Sequence, residues 1–204
     1  MSDSTERRTQ ADRRAKTRES VLSAAARGLS KFGYASLALE HVARDAGYTR
    51  GAVYHQFANK EVLVLSVVEW VSETWDEAVR RPALAEGDPL VSLIAMARGH
   101  AHYCRRSPGA SVMLTLRVEF TGQDHPIGRA LEEIYGRLET ECAGLIDAGR
   151  RTGTIPAGPP ARLTAATYLT VLESVGIELQ HEAPHDVELL ERAVRGILGV
   201  APVP

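Results

Sequence analysis

The sequence predicts an all-α fold of about nine helices. Three observations carry that reading. Apolar residues recur at spacings of three and four along most of the chain, which gathers them on one face of a helix. No stretch shows the strict apolar–polar alternation of a half-buried strand. Turn signals such as Gly33, Glu86-Gly87-Asp88-Pro89 and Ser107-Pro108-Gly109 separate the periodic stretches. With 204 residues, 44% hydrophobic and 25% charged, the chain is neither a disordered polymer nor a collagen-like fibre. It is long enough to fold around its own core without staples.

The first twelve residues show no periodicity and read as a disordered basic arm. Leu22, Ala25, Leu29 and Phe32 then form a helical stripe that Gly33 stops. Two short helices follow over about 39–46 and 50–56, parted by Gly47-Tyr48-Thr49. The helix over about 60–80 carries Leu63, Val67 and Trp70 on one face and Val64, Val68, Val71 and Trp75 on another. A helix apolar on two sides touches two things, here an N-terminal unit and a body. Asp88 and Pro89 open the next helix as N-cap and first residue, and it runs to about Arg106. Val112, Met113, Leu116 and Phe120 mark a helix near 110–121. Another starts at Asp124-His125-Pro126, with the stripe Ile127, Leu131, Ile134, Leu138, Cys142 and Leu145, and is expected to end at Gly149. Three Pro and two Gly make 150–160 a loop. The last two helices carry Ala165, Leu169, Leu172, Gly176 and Leu179, then Val187, Leu190, Val194 and Ile197.

The formal net charge is only −2, which at face value argues against a polyanionic partner. The average hides a split. Residues 1–60 hold eleven basic and six acidic groups, a net of +5, and residues 61–204 carry −7. A basic head on an acidic body suggests two jobs in one chain. Cys104 and Cys142 sit in apolar helical patterns and read as buried thiols. No apolar run is long enough to span a membrane, and the polar N-terminus has no signal core, so the expected location is the cytoplasm.

The head carries the sharpest pattern. A helix-turn-helix needs a small residue where its helices cross, a residue tolerant of positive φ in the turn, and an apolar residue facing back from the second helix. Ala43, Gly47 and Val53 meet those needs, with Leu39 and Val42 as the first helix's buried side. Thr49 is placed to N-cap the second helix. A plain helical hairpin with a Gly turn has the same signature, so this spacing alone leaves both readings open.

The residues around the turn resemble the tetracycline-repressor (TetR) family of bacterial regulators. Val42-Ala43, Ala46-Gly47, Thr49-Arg50-Gly51, Tyr54, Phe57 and Lys60-Glu61-Val62-Leu63 match its N-terminal pattern, over about residues 15–65. Two positions depart from it: Ala38 stands where Thr or Ser usually caps the first short helix, and Tyr48 where a small aliphatic residue is usual. The resemblance implies a DNA-binding head over 13–60 and a dimerising, ligand-binding body over 61–204. It implies that Thr49–Gln56 lies in the major groove of double-stranded operator DNA. Arg50 is suited to guanine. Tyr48, Thr49, Tyr54 and His55 are suited to phosphate oxygens, Gly51 to close backbone approach, and Lys60 to adding charge beside a helix N-terminus. Arg13, Arg14, Lys16 and Arg18 are further candidates for the DNA backbone, or a solvated helix start.

The resemblance also implies a homodimer and a small-molecule effector. Leu169, Leu172, Gly176, Leu179, Leu190, Val194 and Ile197 on the last two helices are the expected dimer contacts, in a four-helix interface. Trp70, Met96, His100, Tyr103, Met113, Leu116, Phe120, Tyr135 and Tyr168 are the expected lining of a largely apolar ligand cavity. Glu119, alone in an apolar stretch, is either a polar anchor or exposed. No nucleophile elbow, phosphate loop or metal-ligand spacing is present, so no catalytic residue, metal site or cofactor is expected. The expected function is a ligand-responsive repressor, with activation or a ligand sensor that does not bind DNA as the alternatives.

Overall fold

The computed structural model describes residues 10–107 and 109–201. Among them are ten α-helices: α1 (Gln10–Phe32), α2 (Leu39–Ala46), α3 (Arg50–Gln56), α4 (Lys60–Trp75), α5 (Arg81–Leu84), α6 (Pro89–Arg106), α7 (Val112–Phe120), α8 (Pro126–Thr152), α9 (Ala161–Glu178) and α10 (His185–Leu198). A π-turn, Asp76–Arg80, joins α4 to α5 without a break, so the two form one rod. Residues 1–9 of the expected arm lie outside the described residues, while Gln10 to Asp12 already belong to α1. None of the described helices is long and apolar enough to cross a membrane.

Local chemistry sets most helix ends. The side chains of Thr49, Asn59, Asp88 and His125 accept backbone N–H groups in the first turns of α3, α4, α6 and α8, satisfying donors that a helix start leaves open. Ala38 gives α2 no such bond. Helix α8 runs to Thr152, past the expected stop at Gly149. A Cβ at Gly149 would meet Ile155 Cδ1 at 2.6 Å, so that glycine makes room for the loop folding back rather than ending the helix. Gly153, at φ 80°, ends it.

Two buried cores follow. The first gathers Val21, Ala25 and Leu29 of α1, Val42 of α2, Val53 of α3 and Leu63, Val64 and Val67 of α4. It extends into Val112, Leu116 and Phe120 of α7 and Ile127 and Leu131 of α8. The second gathers Leu93 and Met96 of α6, Cys142 and Ile146 of α8, Tyr168 and Leu172 of α9 and Leu190 and Val194 of α10. Buried Tyr168 donates its hydroxyl to the Leu93 carbonyl at 2.7 Å, which satisfies the one polar atom of that side chain.

This packing covers most of the expected dimer contacts within the chain itself. Leu169, Leu172, Gly176, Leu190 and Val194 are buried within their own chain, and Leu179 and Ile197 are half-buried. Helices α9 and α10 turn those stripes toward each other and toward α6 and α8. Their outward faces carry other residues: Leu163 (59% exposed), Thr167, Thr170 and Ser174 on α9, and Leu189 (46% exposed) and Gly196 on α10.

Charge pairs tie α10 to α6. Both Arg105 nitrogens Nε and Nη2 donate to Asp186, whose side chain is 1% exposed. Arg98 Nε reaches Glu191 at 2.5 Å, and Arg195 reaches the same carboxylate at 2.8 Å. The Arg105 guanidinium holds the Asp186 carboxyl below the usual carboxylate range. Removing one partner of a buried pair leaves an uncompensated charge. Arg105→Met should therefore destabilise the protein, read as a fall in the urea unfolding midpoint.

Candidate functional site

The turn between α2 and α3 is built as its chemistry requires. Gly47 adopts φ 77° and ψ 26°, and its N–H bonds back to the Arg44 carbonyl at 3.0 Å; a β-carbon there would be strained. Ala43 is buried at the crossing, and Val53, at 0% exposure, anchors α3 on the first core. Anchoring through Val53 turns the rest of α3 outward. Arg50, Tyr54 and His55 are exposed. Arg50 Nη1 lies 3.0 Å from Glu40, and its guanidinium sits 5.1 Å over the Tyr54 ring. No atom lies within 4 Å of where a Cβ on Gly51 would be. Nothing inside the protein demands glycine there, and the space faces outward.

Other candidates of the head fall differently. Thr49 is exposed and caps α3. Tyr48 is half-buried and packs on the first core. Lys60 is turned inward: Nζ donates to the Ala35 carbonyl at 3.1 Å and sits 4.4 Å from the Tyr34 ring centre. Burial lowers its pKa below the usual lysine value. Its charge is thus engaged within the head, because the start of α4 lies against the α1–α2 loop. Between α1 and α3 runs a groove of about 500 Å³ lined by Arg14, Arg18, His55 and Gln56 among others. Arg13 and Lys16 are exposed on the same helix.

The carboxylate of Glu119 joins head and body. Its two oxygens accept the backbone N–H groups of Tyr34 at 2.6 Å and Ala35 at 2.8 Å. Tyr34 also packs edge-on to Phe120, with ring centres 5.2 Å apart. Glu119 is thus neither an anchor lining the cavity nor fully exposed, and its target, a pair of loop amides 85 and 84 residues away, left no trace in the sequence pattern.

The body holds a cavity between α4, α6, α7, α8 and α9, with about 60 Å³ open to the centres of water-sized molecules. Of the nine expected lining residues, His100, Tyr103, Met113 and Tyr135 face it. Met96 and Tyr168 are instead buried in the second core, Leu116 and Phe120 in the first, and Trp70 is half-buried against the first. Trp75, Leu169, Leu172 and Glu173 complete much of the wall. Trp75 Nε1 donates to His100 Nδ1 at 3.0 Å, and burial pushes the His100 imidazole down to about 4. Gly176 lets that ring in, since a Cβ there would meet His100 Cδ2 at 2.6 Å. Glu173 accepts from the Tyr135 hydroxyl and from Arg117 Nη1, the latter at 3.1 Å. Burial raises its pKa above the ordinary carboxylate value.

Residues 21–67 match the family model described as bacterial regulatory proteins, tetR family. The N-terminal unit of this chain is thus that of the TetR family. It is 27% identical over 173 residues to the A-factor receptor protein of Streptomyces griseus, an alignment covering 84% of this chain and 57% of that one. It is 40% identical over 75 residues to the HTH-type transcriptional regulator TtgR of Pseudomonas putida, covering 36% of each. The chain thus spans about half or less of these relatives' own length. Among solved structures, AibR in complex with isovaleryl coenzyme A and operator DNA superposes with a TM-score of 0.76 at 16% identity, covering 91% of this chain and 98% of that one. FadR of Bacillus subtilis in complex with stearoyl-CoA gives 0.71 at 18%, covering 91% and 99%. These two likenesses establish a shared fold.

Glu119→Ala should cost about 1–2 kcal/mol, the worth of two partly exposed charge-assisted hydrogen bonds, measured by urea unfolding. The unfolded chain takes up a proton at His100 below its ordinary value of 6.5, while the folded chain refuses it until about pH 4. Stability should therefore fall by about 2 kcal/mol from pH 7 to pH 5 through this residue, and His100→Gln should remove that part of the pH dependence.

Proposed function

We propose that this protein is a homodimeric, ligand-responsive repressor of the TetR family that binds a palindromic operator and is released by a small, largely apolar effector. The observation that carries the reading is the outward face of α3. Val53 fixes the helix to the core, and Arg50, Tyr54, His55 and the open space at Gly51 face away from the protein. In the major groove, Arg50 exchanges its exposed pairing with Glu40 for guanine O6 and N7. Thr49, Tyr54, His55, Arg14 and Arg18 meet phosphates, which fix position rather than sequence.

The dimer forms through the outward faces of α9 and α10, around Leu163 and Leu189, since the inward stripes are occupied. One short recognition helix reads too few base pairs, and a two-fold dimer reads two half-sites. The cavity supplies the effector site. Its walls include Met113 on α7, the helix whose Glu119 holds the head's α1–α2 loop. A ligand that binds one arrangement of α7 better than another shifts the population of head positions. The complexes of AibR and FadR with coenzyme A thioesters support an effector in a body of this fold.

Gel shift with the DNA upstream of the protein's own gene tests the reading. Nanomolar protein should give a specific band that weakens steeply with salt. Arg50→Ala should weaken that band about tenfold or more while changing non-specific binding much less. Absence of a specific band, or an equal loss on specific and unrelated DNA, counts against the assignment.

A further inference from the structure

The hydrogen-bond donors around the cavity are almost all spent. Trp75 Nε1 gives its proton to His100 Nδ1, so the neutral imidazole carries its own proton on Nε2, which faces Cys104 Sγ at 3.3 Å. Thr74 gives its hydroxyl proton to the Val71 carbonyl, so Tyr103 donates to Thr74. Tyr135 and Arg117 both donate to Glu173. What the deep wall still offers is acceptor capacity, since each carboxylate oxygen of Glu173 has a lone pair beyond the one in use. The Ser72 hydroxyl is the remaining side-chain donor on the wall, and it also lines the charged cleft that adjoins the cavity.

Charge narrows the ligand further. The negative charge of Glu173 is matched by Arg117, 3.1 Å away. An ammonium ligand would add an unmatched cation to this buried site, and a carboxylate would set a second anion beside Glu173 with no deep donor to hold it. An ester, thioester or ether brings only acceptors to a wall of acceptors. The aromatic rings of Trp75, Tyr103 and Tyr135 suit a flat apolar body. A volume of about 60 Å³ for water-sized centres is room for roughly four or five waters, the scale of one substituted ring.

We propose that the cavity takes a neutral, ring-sized apolar molecule bearing a hydroxyl group, phenol-like in chemistry, whose O–H donates to Glu173. This rests on the reading of the body as an effector site. It sets this chain's ligand chemistry apart from the coenzyme A thioesters bound by AibR and FadR.

Titration calorimetry on the full chain tests it, with 4-ethylphenol, 4-ethylanisole, 4-ethylbenzoate and 4-ethylbenzylamine as matched probes. The phenol should bind at least about tenfold tighter than the other three, the discrimination expected from a hydrogen bond to a charged acceptor. Glu173→Gln should cut the phenol-to-anisole ratio to within about threefold. Tyr135→Phe frees the Glu173 oxygen that Tyr135 now occupies, and should keep or raise the ratio. These opposite responses separate an anchoring carboxylate from a merely structural one, and the second variant decides if the first does not fold. Equal binding of phenol and anisole, tighter binding of benzoate or amine, or no binding of any probe overturns the proposal. Because the titration uses no DNA, its failure leaves the gel-shift result standing, and a failed gel shift leaves the ratio standing.

Discussion

Helix α4 is buried on more than one side, and most of the architecture follows from that constraint. Leu63, Val64, Val67, Val68 and Val71 all lie in the interior. A head ending at the start of α4 has too little apolar surface to close a core of its own, because small units bury a low fraction of their chain. The head completes its core with α4 and then with Val112, Leu116 and Phe120 of α7 and Ile127 and Leu131 of α8. The price of that economy is mechanical: the first core has no seam at residue 60, so its packing cannot change on one side alone. Close-packed interiors transmit such displacement rather than absorb it.

Helix α7 makes the link between the two parts specific. Met113 faces the cavity near its start, and Glu119 grips the Tyr34 and Ala35 amides near its end. The two residues are six positions apart on a nine-residue helix, so a rigid shift of one moves the other. Packing alone would couple cavity and head loosely, through many contacts of small individual worth. The carboxylate adds a directional contact whose two bonds hold only over a narrow range of distance and angle. Lys60, on the Ala35 carbonyl and the Tyr34 ring, holds the same loop from α4.

What the sequence made legible was whatever had a local cause. Gly47 is fixed by the backbone of its own turn, and Asp88 by the amides that follow it, so both could be read without knowing the fold. Helix existence followed from periodicity for the same reason. Partner choice did not. Leu169 and Leu190 show a stripe but not what it faces, and both turned inward into the second core. Leu116 and Phe120 show the same ambiguity on α7, as core rather than cavity wall. Gly149 and Gly176 read as a helix end and a dimer contact because the groups that require them, Ile155 and His100, are distant in sequence or across a turn. Glu173 was invisible as a site residue, since nothing near it in the chain predicts Arg117 or Tyr135 beside it.

The charge split gains physical content from the ion pairs. In the body, Arg80, Arg98, Arg105, Arg117 and Arg195 all pair with carboxylates that are at least two-thirds buried. Those charges act as staples between helices and contribute little long-range field, since each is matched at short distance. In the head, the pairs Arg44 with Asp45 and Arg50 with Glu40 are more than half exposed on both sides. Exposed pairs are worth little and exchange readily for a stronger anion. The acidic excess of the body lies on exposed carboxylates such as Glu69, Glu77, Glu132 and Glu182, while the basic excess of the head lies at the head's own surface. A net charge of −2 is compatible with a polyanion partner because the two signs sit on different parts of the chain: the acidic excess on the body, the basic excess on the exposed surface of the head.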